Sequence, residues 1–150
     1  MQKFFSRRIF RWSLYAAIPL FVYFVNVEVQ SYLGRKAVEA TGLHRLSLDE
    51  ALAKAADENK LIIVEVSAIW CSNCRRLDKQ VFGDETVRRT INEKYLFVRL
   101  EYESPDGTAF LEKYQSEGFP NLWLLDAKGD VVSKLDVVYD PAAFIRQLSK

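Results

Sequence analysis

The only two cysteines of this 150-residue chain stand three positions apart, within residues 70–74, Trp-Cys-Ser-Asn-Cys. The preceding run, Leu61 to Val66, is rich in apolar β-formers, and the residues after the cysteines place apolar side chains at helical spacing. A strand therefore ends and a helix begins here, which puts Cys71 at a helix N-terminus, where unpaired N–H groups favour a thiolate. The motif predicts a redox-active Cys71–Cys74 disulfide, with Cys71 as nucleophile and Cys74 as resolving thiol.

Two other uses of this cysteine spacing are less consistent with the chain. A zinc site needs two more ligands, but the chain has no further cysteine and a single histidine, His44. A purely structural disulfide across so short a loop would remove little entropy from the unfolded chain. We therefore expect no metal and no cofactor. A copper or zinc metallochaperone that binds through the two thiols, and a non-catalytic binding module, remain the alternatives.

The motif Trp-Cys-x-x-Cys after a hydrophobic strand, together with Gly118-Phe119-Pro120 further along, resembles the thioredoxin superfamily. The resemblance covers residues 46–150 and implies an α/β fold, in which helices flank a central mixed sheet. Thioredoxins have Gly-Pro between the cysteines, whereas this chain has Ser72-Asn73. It also has Asn121, where a threonine usually follows the proline.

Within that superfamily, the chain is similar to the C-terminal domain of the DsbD-type thiol:disulfide interchange proteins. Glu65 stands six residues before Cys71, where thioredoxins carry a buried acid. Asp78 stands four residues after Cys74, where the DsbD-type domain has a second acid, and residues 81–84 resemble the continuation of that subgroup. The resemblance implies thiol:disulfide oxidoreductase activity on protein thiols and disulfides.

The resemblance also assigns roles to the residues around the cysteines. Glu65 would relay a proton through water to or from Cys74, and Asp78 is a candidate for assisting it, with a solvated surface position as the alternative. Trp70 would shield the sulfurs and contact substrate. Phe119 and Pro120 would present backbone beside Cys71 if their peptide bond is cis.

The residues themselves support a special role for Glu65. A carboxylate within an apolar strand is costly unless it is hydrogen-bonded or functional, and desolvation should raise its pKa toward neutrality. The direction of electron flow follows from Ser72-Asn73, which supplies no charge to stabilise the thiolate. A reductant or electron carrier is therefore expected rather than a strong oxidant.

The N-terminus has a membrane-targeting pattern. Four basic residues within residues 1–11 precede the uncharged run 12–27. This predicts a cytoplasmic basic segment (1–11), a single transmembrane anchor (12–29), a linker (30–45) and the catalytic domain (46–150). The positive-inside bias places that domain in the periplasm or outside, attached to the inner membrane, where a membrane or periplasmic redox partner would be found. A cleaved signal segment is the alternative, although its apolar region usually runs about 7 to 15 residues.

The remaining sequence supplies a compact α/β domain. Periodicity predicts the order β-α-β-α-β-β-α from residue 61, preceded by a helix that opens at Ser47. The strand Leu61 to Val66 is apolar on both faces and should lie in mid-sheet. A net charge of +1, with no basic block beyond residue 11, excludes nucleic acid as an expected partner.

Overall fold

The computed structural model describes the backbone of residues 2–148; its side chains are described from residue 15, residue 16 excepted. The helices and strands follow one another as α1 (Gln2–Ala40), β1 (Arg45–Leu46), α2 (Leu48–Glu58), β2 (Leu61–Ser67), α3 (Ser72–Leu77), a π-helical turn (Asp78–Phe82), α4 (Glu85–Lys94), β3 (Tyr95–Glu101), α5 (Pro105–Lys113), β4 (Asn121–Leu125), β5 (Val131–Leu135) and α6 (Pro141–Leu148). The predicted order of elements is confirmed. Sequence patterns missed β1 and the π-helical turn.

The five strands form one mixed sheet in the order β1-β3-β2-β4-β5. β2 lies at its centre, as predicted, and runs parallel to β3 and antiparallel to β4. β4 and β5 form the predicted antiparallel hairpin. Because β2 and β3 are parallel, their C-terminal ends lie at the same edge of the sheet, where the cysteine segment begins.

Helices cover both faces of the sheet, because β2 is apolar on both. Ile63 packs with the helices that follow the cysteines and with Phe144 of α6. Ile62 and Val64 face the other way and pack with α2 and with Phe110 of α5. Successive side chains of a strand point to opposite faces, so this single run serves two cores.

Side-chain caps fix where the helices begin. Ser47 and Glu50 form the predicted capping box at the start of α2. Asp84 accepts hydrogen bonds from two N–H groups in the first turn of α4, and Ser104 caps α5 ahead of Pro105. These caps satisfy N–H groups that have no partner within the helix.

The second half of α1 packs against the domain. Residues 30–45 are predicted to form a linker, but α1 continues through this stretch to Ala40, and Ala37 and Val38 are buried. Arg75 Nη1 in α3 donates a hydrogen bond to Oε1 of Gln30 at 2.7 Å. Contacts between α1 and α3 therefore connect this stretch directly to the helix that carries the cysteines.

The predicted anchor, residues 12–29, lies within the first part of α1. Over the residues that the structure describes, no helix has both the length and the apolar character needed to cross a bilayer. Large apolar side chains of this part are nevertheless exposed, among them Phe21, Tyr23 and Phe24. The predicted basic segment 1–11 lies outside the residues with described side chains.

Replacing Gly34 with alanine should destabilise the chain, although alanine normally favours a helix by about 1 kcal/mol over glycine. A Cβ added at Gly34 would overlap the backbone carbonyl oxygen of Ile69, which cannot rotate away. We expect a loss of about 1–3 kcal/mol in the free energy of unfolding, measured by urea denaturation. Lys36→Ala, at an exposed position of the same helix, is the control. A Gly34→Ala chain as stable as the control would contradict the close contact between α1 and Ile69.

Candidate active site

Cys71 is the N-cap residue of α3, so the predicted change from strand to helix at the cysteines is confirmed. Its backbone is extended (φ −75°, ψ 124°), and its Sγ accepts a hydrogen bond from the backbone N–H of Cys74 at 3.1 Å. Both cysteines are free thiols. The Cys71 sulfur thus occupies the position where a cap side chain normally satisfies an N–H group of the first turn.

The two cysteines differ in their exposure to solvent. Cys71 is 8% exposed, whereas Cys74 is completely buried. Burial raises the pKa of Cys74 to about 12, and a hydrogen bond with Cys71 acts in the same direction. Of the two cysteines, only Cys71 therefore reaches the surface, and Cys74 keeps its proton until a base removes it.

Aromatic side chains surround the exposed edge of Cys71. The ring centroids of Trp70 and Phe119 lie 5.2 Å apart in an edge-on arrangement, and those of Tyr102 and Phe119 lie 4.6 Å apart. The Phe119–Pro120 peptide bond is cis, as the resemblance implies, and Phe119 packs against the cysteines. The structure therefore brings the three predicted substrate-contacting residues together and adds Tyr102, which sequence analysis did not single out.

Glu65 lies in β2, the strand that leads to the cysteines, and is completely buried. Its Oε2 accepts a hydrogen bond from Nη1 of Arg99 at 2.8 Å, while its Oε1 has no partner. Burial raises the pKa of Glu65 to about 7; the charge of Arg99 opposes this rise, and the charge of Asp78 adds to it. The predicted displacement of this pKa toward neutrality is confirmed, and the group can gain or lose a proton near neutral pH.

Asp78 is buried beside Glu65, so the surface position considered for it is wrong. It begins the π-helical turn, and its Oδ1 accepts a hydrogen bond from the same Nη1 of Arg99 at 2.8 Å. Its Oδ2 has no partner. Burial raises the pKa of Asp78, against the charge and hydrogen bond of Arg99.

Arg99 is a second residue of the site that sequence analysis did not single out. It projects from β3, directly opposite Glu65 in the parallel register, and its side chain is almost fully buried. Its Nη2 donates a hydrogen bond to Oγ of Ser67, also buried, at 2.7 Å. A basic residue inside the apolar run of β3 was the available signal, since a buried charge requires a partner.

A cavity of about 360 Å³ lies between α1 and Trp70, the residue before Cys71. Tyr23, Asn26 and Gln30 of α1 line one side, and Trp70 and Glu103 line the other. Within the part of the chain that the structure describes, no three His, Cys, Asp or Glu side chains are grouped so that they could hold a metal ion.

Glu65→Gln should make the stability of the chain less dependent on pH. Because the pKa of Glu65 is about 7 in the folded chain against an ordinary value of 4.5, its protonated form stabilises the fold below pH 4.5, and this stabilisation is lost as the pH rises to 7. The displacement corresponds to at most about 3 kcal/mol. Urea denaturation between pH 5 and pH 8 would measure it, with Glu112→Gln on the surface as control. Equal pH dependence in Glu65→Gln and wild type would contradict the assignment.

A family model described as Thioredoxin-like matches residues 43–127. The solution structure of a putative disulphide-isomerase from Bacteroides thetaiotaomicron superimposes with a TM-score of 0.62 and 30% identity, covering 72% of this chain and 89% of that one.

Two curated relatives are much longer than this chain. The thiol:disulfide interchange protein DsbD of Klebsiella pneumoniae is 29% identical over 125 residues, which is 81% of this chain and 20% of that protein. The UBX domain-containing protein 2 of Schizosaccharomyces pombe is 28% identical over 108 residues, 71% of this chain and 25% of that protein. The chain thus spans a quarter or less of the length of these two relatives, and the predicted likeness to DsbD-type proteins is confirmed.

Proposed function

Because this chain belongs to the thioredoxin-like family, we propose that it is a thiol:disulfide oxidoreductase in which Cys71 and Cys74 alternate between dithiol and disulfide. The proposal rests on a difference in exposure between the two cysteines. Cys71, at the start of α3, is partly exposed, whereas Cys74 is completely buried. A structural cysteine pair has no need of such a difference, whereas a nucleophile and a resolving thiol require it.

The reaction proceeds in two exchange steps. The Cys71 thiolate attacks a disulfide of the partner protein, forming a mixed disulfide and releasing one partner sulfur as a thiolate. Cys74 then loses its proton and attacks the Cys71 sulfur, which closes the Cys71–Cys74 disulfide and releases the second partner sulfur. The partner disulfide is reduced by two electrons, the chain is oxidised by two, and the released thiolates take up protons.

Glu65 is the base that receives the Cys74 proton in the second step. It is completely buried, and its pKa of about 7 suits an acceptor that must later release the proton. Asp78 shares Arg99 with it and assists the transfer. Trp70, Phe119 and Pro120 form the surface against which the partner polypeptide lies.

We infer that the chain acts as a reductant or electron carrier, because Ser72-Asn73 places no charged group between the cysteines to stabilise a thiolate. We also propose that residues 1–29 attach it to the inner membrane, with the domain facing outward. The basic residues of segment 1–11 and the exposed apolar side chains of α1 after residue 17 support this arrangement.

Reduction of insulin disulfides by the purified chain, with dithiothreitol as electron source, tests the activity. We expect the wild type to accelerate reduction and Cys71→Ser/Cys74→Ser to match the uncatalysed rate. An inactive wild type would overturn the proposal and favour a binding module. A redox potential near that of reducing thioredoxins, about −270 mV, would support the direction, and one near about −120 mV would contradict it.

Fractionation of cells tests the attachment. Intact chain in the membrane fraction, with its domain digested by protease added to spheroplasts, is the expected result. A shortened soluble chain would indicate a cleaved signal segment instead.

A further inference from the structure

Ser67 is a buried hydroxyl beside the carboxylate that accepts a proton in the proposed reaction. Glu65 and Ser67 are two residues apart in β2, so they project from the same face of the sheet. Arg99 contacts both: its Nη1 donates to Oε2 of Glu65 at 2.8 Å, and its Nη2 donates to Oγ of Ser67 at 2.7 Å. One guanidinium thus holds the hydroxyl and the carboxylate side by side.

The hydroxyl has the hydrogen-bonding capacity to connect two further groups. Oγ of Ser67 uses one lone pair for Arg99, which leaves a second lone pair and its own proton available. Ser67 directly precedes Ala68, which packs with Cys74 in a buried cluster, and Arg99 bonds both Ser67 and Glu65, so the hydroxyl lies near the thiol and near the carboxylate. Burial is the main cause of the raised pKa values of Cys74 and Glu65, and Ser67 opposes that rise at both groups.

The charges around Ser67 favour proton uptake by the two acids. Glu65 and Asp78 share one guanidinium, and each has a buried oxygen without a partner. If both were ionised, the cluster would carry one uncompensated negative charge away from water, which is costly. The other charged groups that act on the cluster are Arg45 from β1 and Glu101 from β3, and their effects have opposite signs.

From this geometry, and resting on the function proposed above, we propose that the Ser67 hydroxyl carries the proton of Cys74 to the Glu65–Asp78 pair during the second exchange step. The Cys74 thiol donates to Oγ of Ser67 while the Ser67 hydroxyl donates its own proton to the Glu65 carboxylate. Ser67 is unchanged at the end, Glu65 is protonated, and the Cys74 sulfur attacks Cys71 as a thiolate. Arg99 is the positioning residue that holds both partners of the transfer.

Stopped-flow kinetics with a model disulfide, recorded between pH 6 and pH 9, test the proposal because they separate attack by Cys71 from closure by Cys74. We expect Ser67→Ala to slow closure about tenfold while leaving the first attack unchanged. Ser67→Thr, which retains a hydroxyl, should recover most of the rate. Ser133→Ala makes the same substitution in β5 of the same sheet and should resemble the wild type.

Closure in Ser67→Ala within twofold of wild type across this pH range would overturn the proposal, as would equal slowing of both steps or a failure of Ser67→Thr to restore closure. If wild type itself closes no disulfide, the proposed function fails and the relay with it. If wild type closes normally and Ser67→Ala does the same, only the relay fails.

A spectroscopic measurement keeps the proposal falsifiable if Ser67→Ala does not fold. In Cys71→Ala, the only remaining S–H group is that of Cys74, and its Raman stretching band reports whether it donates a hydrogen bond; alanine is used because a serine at position 71 could itself accept that bond. We expect the lowered frequency of a hydrogen-bonded thiol. A free-thiol frequency in Cys71→Ala would overturn the proposal.

Discussion

Replacing Cys74 with serine is expected to convert the chain into a trap for its partner proteins. Cys71 remains accessible and can attack a disulfide, but no second thiol is left to displace the partner from the mixed disulfide. Non-reducing gels of cells that produce Cys74→Ser should show adducts that disappear when dithiothreitol is added. We expect at least about tenfold more adduct than with wild type, where closure by Cys74 keeps the intermediate short-lived.

The matched control is Cys71→Ser, in which the remaining thiol is completely buried. It should form almost no adduct, although its sulfur content equals that of Cys74→Ser. Equal trapping by the two variants would reverse or abolish the assignment of nucleophile and resolving thiol. Trapping by neither variant, together with a normal phenotype of the double variant, would favour a domain that binds partners without exchange.

Arg99→Ala is expected to reduce the free energy of unfolding by about 3–5 kcal/mol at pH 8, because it leaves two buried carboxylates without their shared cation. The loss should shrink as the pH falls to 5. Without Arg99 the folded chain holds the protons of Glu65 and Asp78 more tightly than the unfolded chain does. Acidification therefore favours the folded state, and stability falls as the pH rises through the folded pKa values.

Urea denaturation at pH 5 and pH 8 measures this effect. Arg89→Ala removes an exposed arginine from α4 and should change stability by less than about 0.5 kcal/mol. Introducing Arg99→Ala together with Glu65→Gln and Asp78→Asn should recover part of the loss, because neutral amides need no cation. A loss in Arg99→Ala that is the same at both pH values, or that persists fully in the triple variant, would show that packing rather than charge explains it.

The sequence was sufficient to predict the central sheet and the placement of the cysteines between β2 and α3. The apolar run of β2 is long enough to be distinguished from its neighbours, and the caps at Ser47 and Asp84 mark helix starts by local chemistry alone. The paired residues of β1 could not be found in this way, because two residues carry no periodicity. Patterns therefore predict elements that are long or capped.

The buried polar cluster could be predicted only in part. Glu65 was conspicuous within its strand, but its partner depends on the register between β2 and β3, which is set by the packing of distant residues. Asp78 was ambiguous because an ordinary helix would leave it beside Arg75 and Lys79. The π-helical turn, in which the carbonyl of Asp78 accepts the N–H of Gly83 at 2.7 Å, changes the helical spacing there and accompanies the burial of the Asp78 side chain.

The continuity of α1 has a consequence for which disulfides the chain can reach. Between Leu20 and Ala40 the helix has no break, and Gln30 is bonded to Arg75, in the first turns after Cys71. A helix rises 1.5 Å per residue, so Leu20 lies about 15 Å along the axis from Gln30. If the first part of α1 is held in the membrane as proposed, this rigid connection keeps the Cys71 sulfur at a fixed distance from the membrane surface. Partner proteins would then be selected by how far their disulfide lies from the membrane as well as by their sequence.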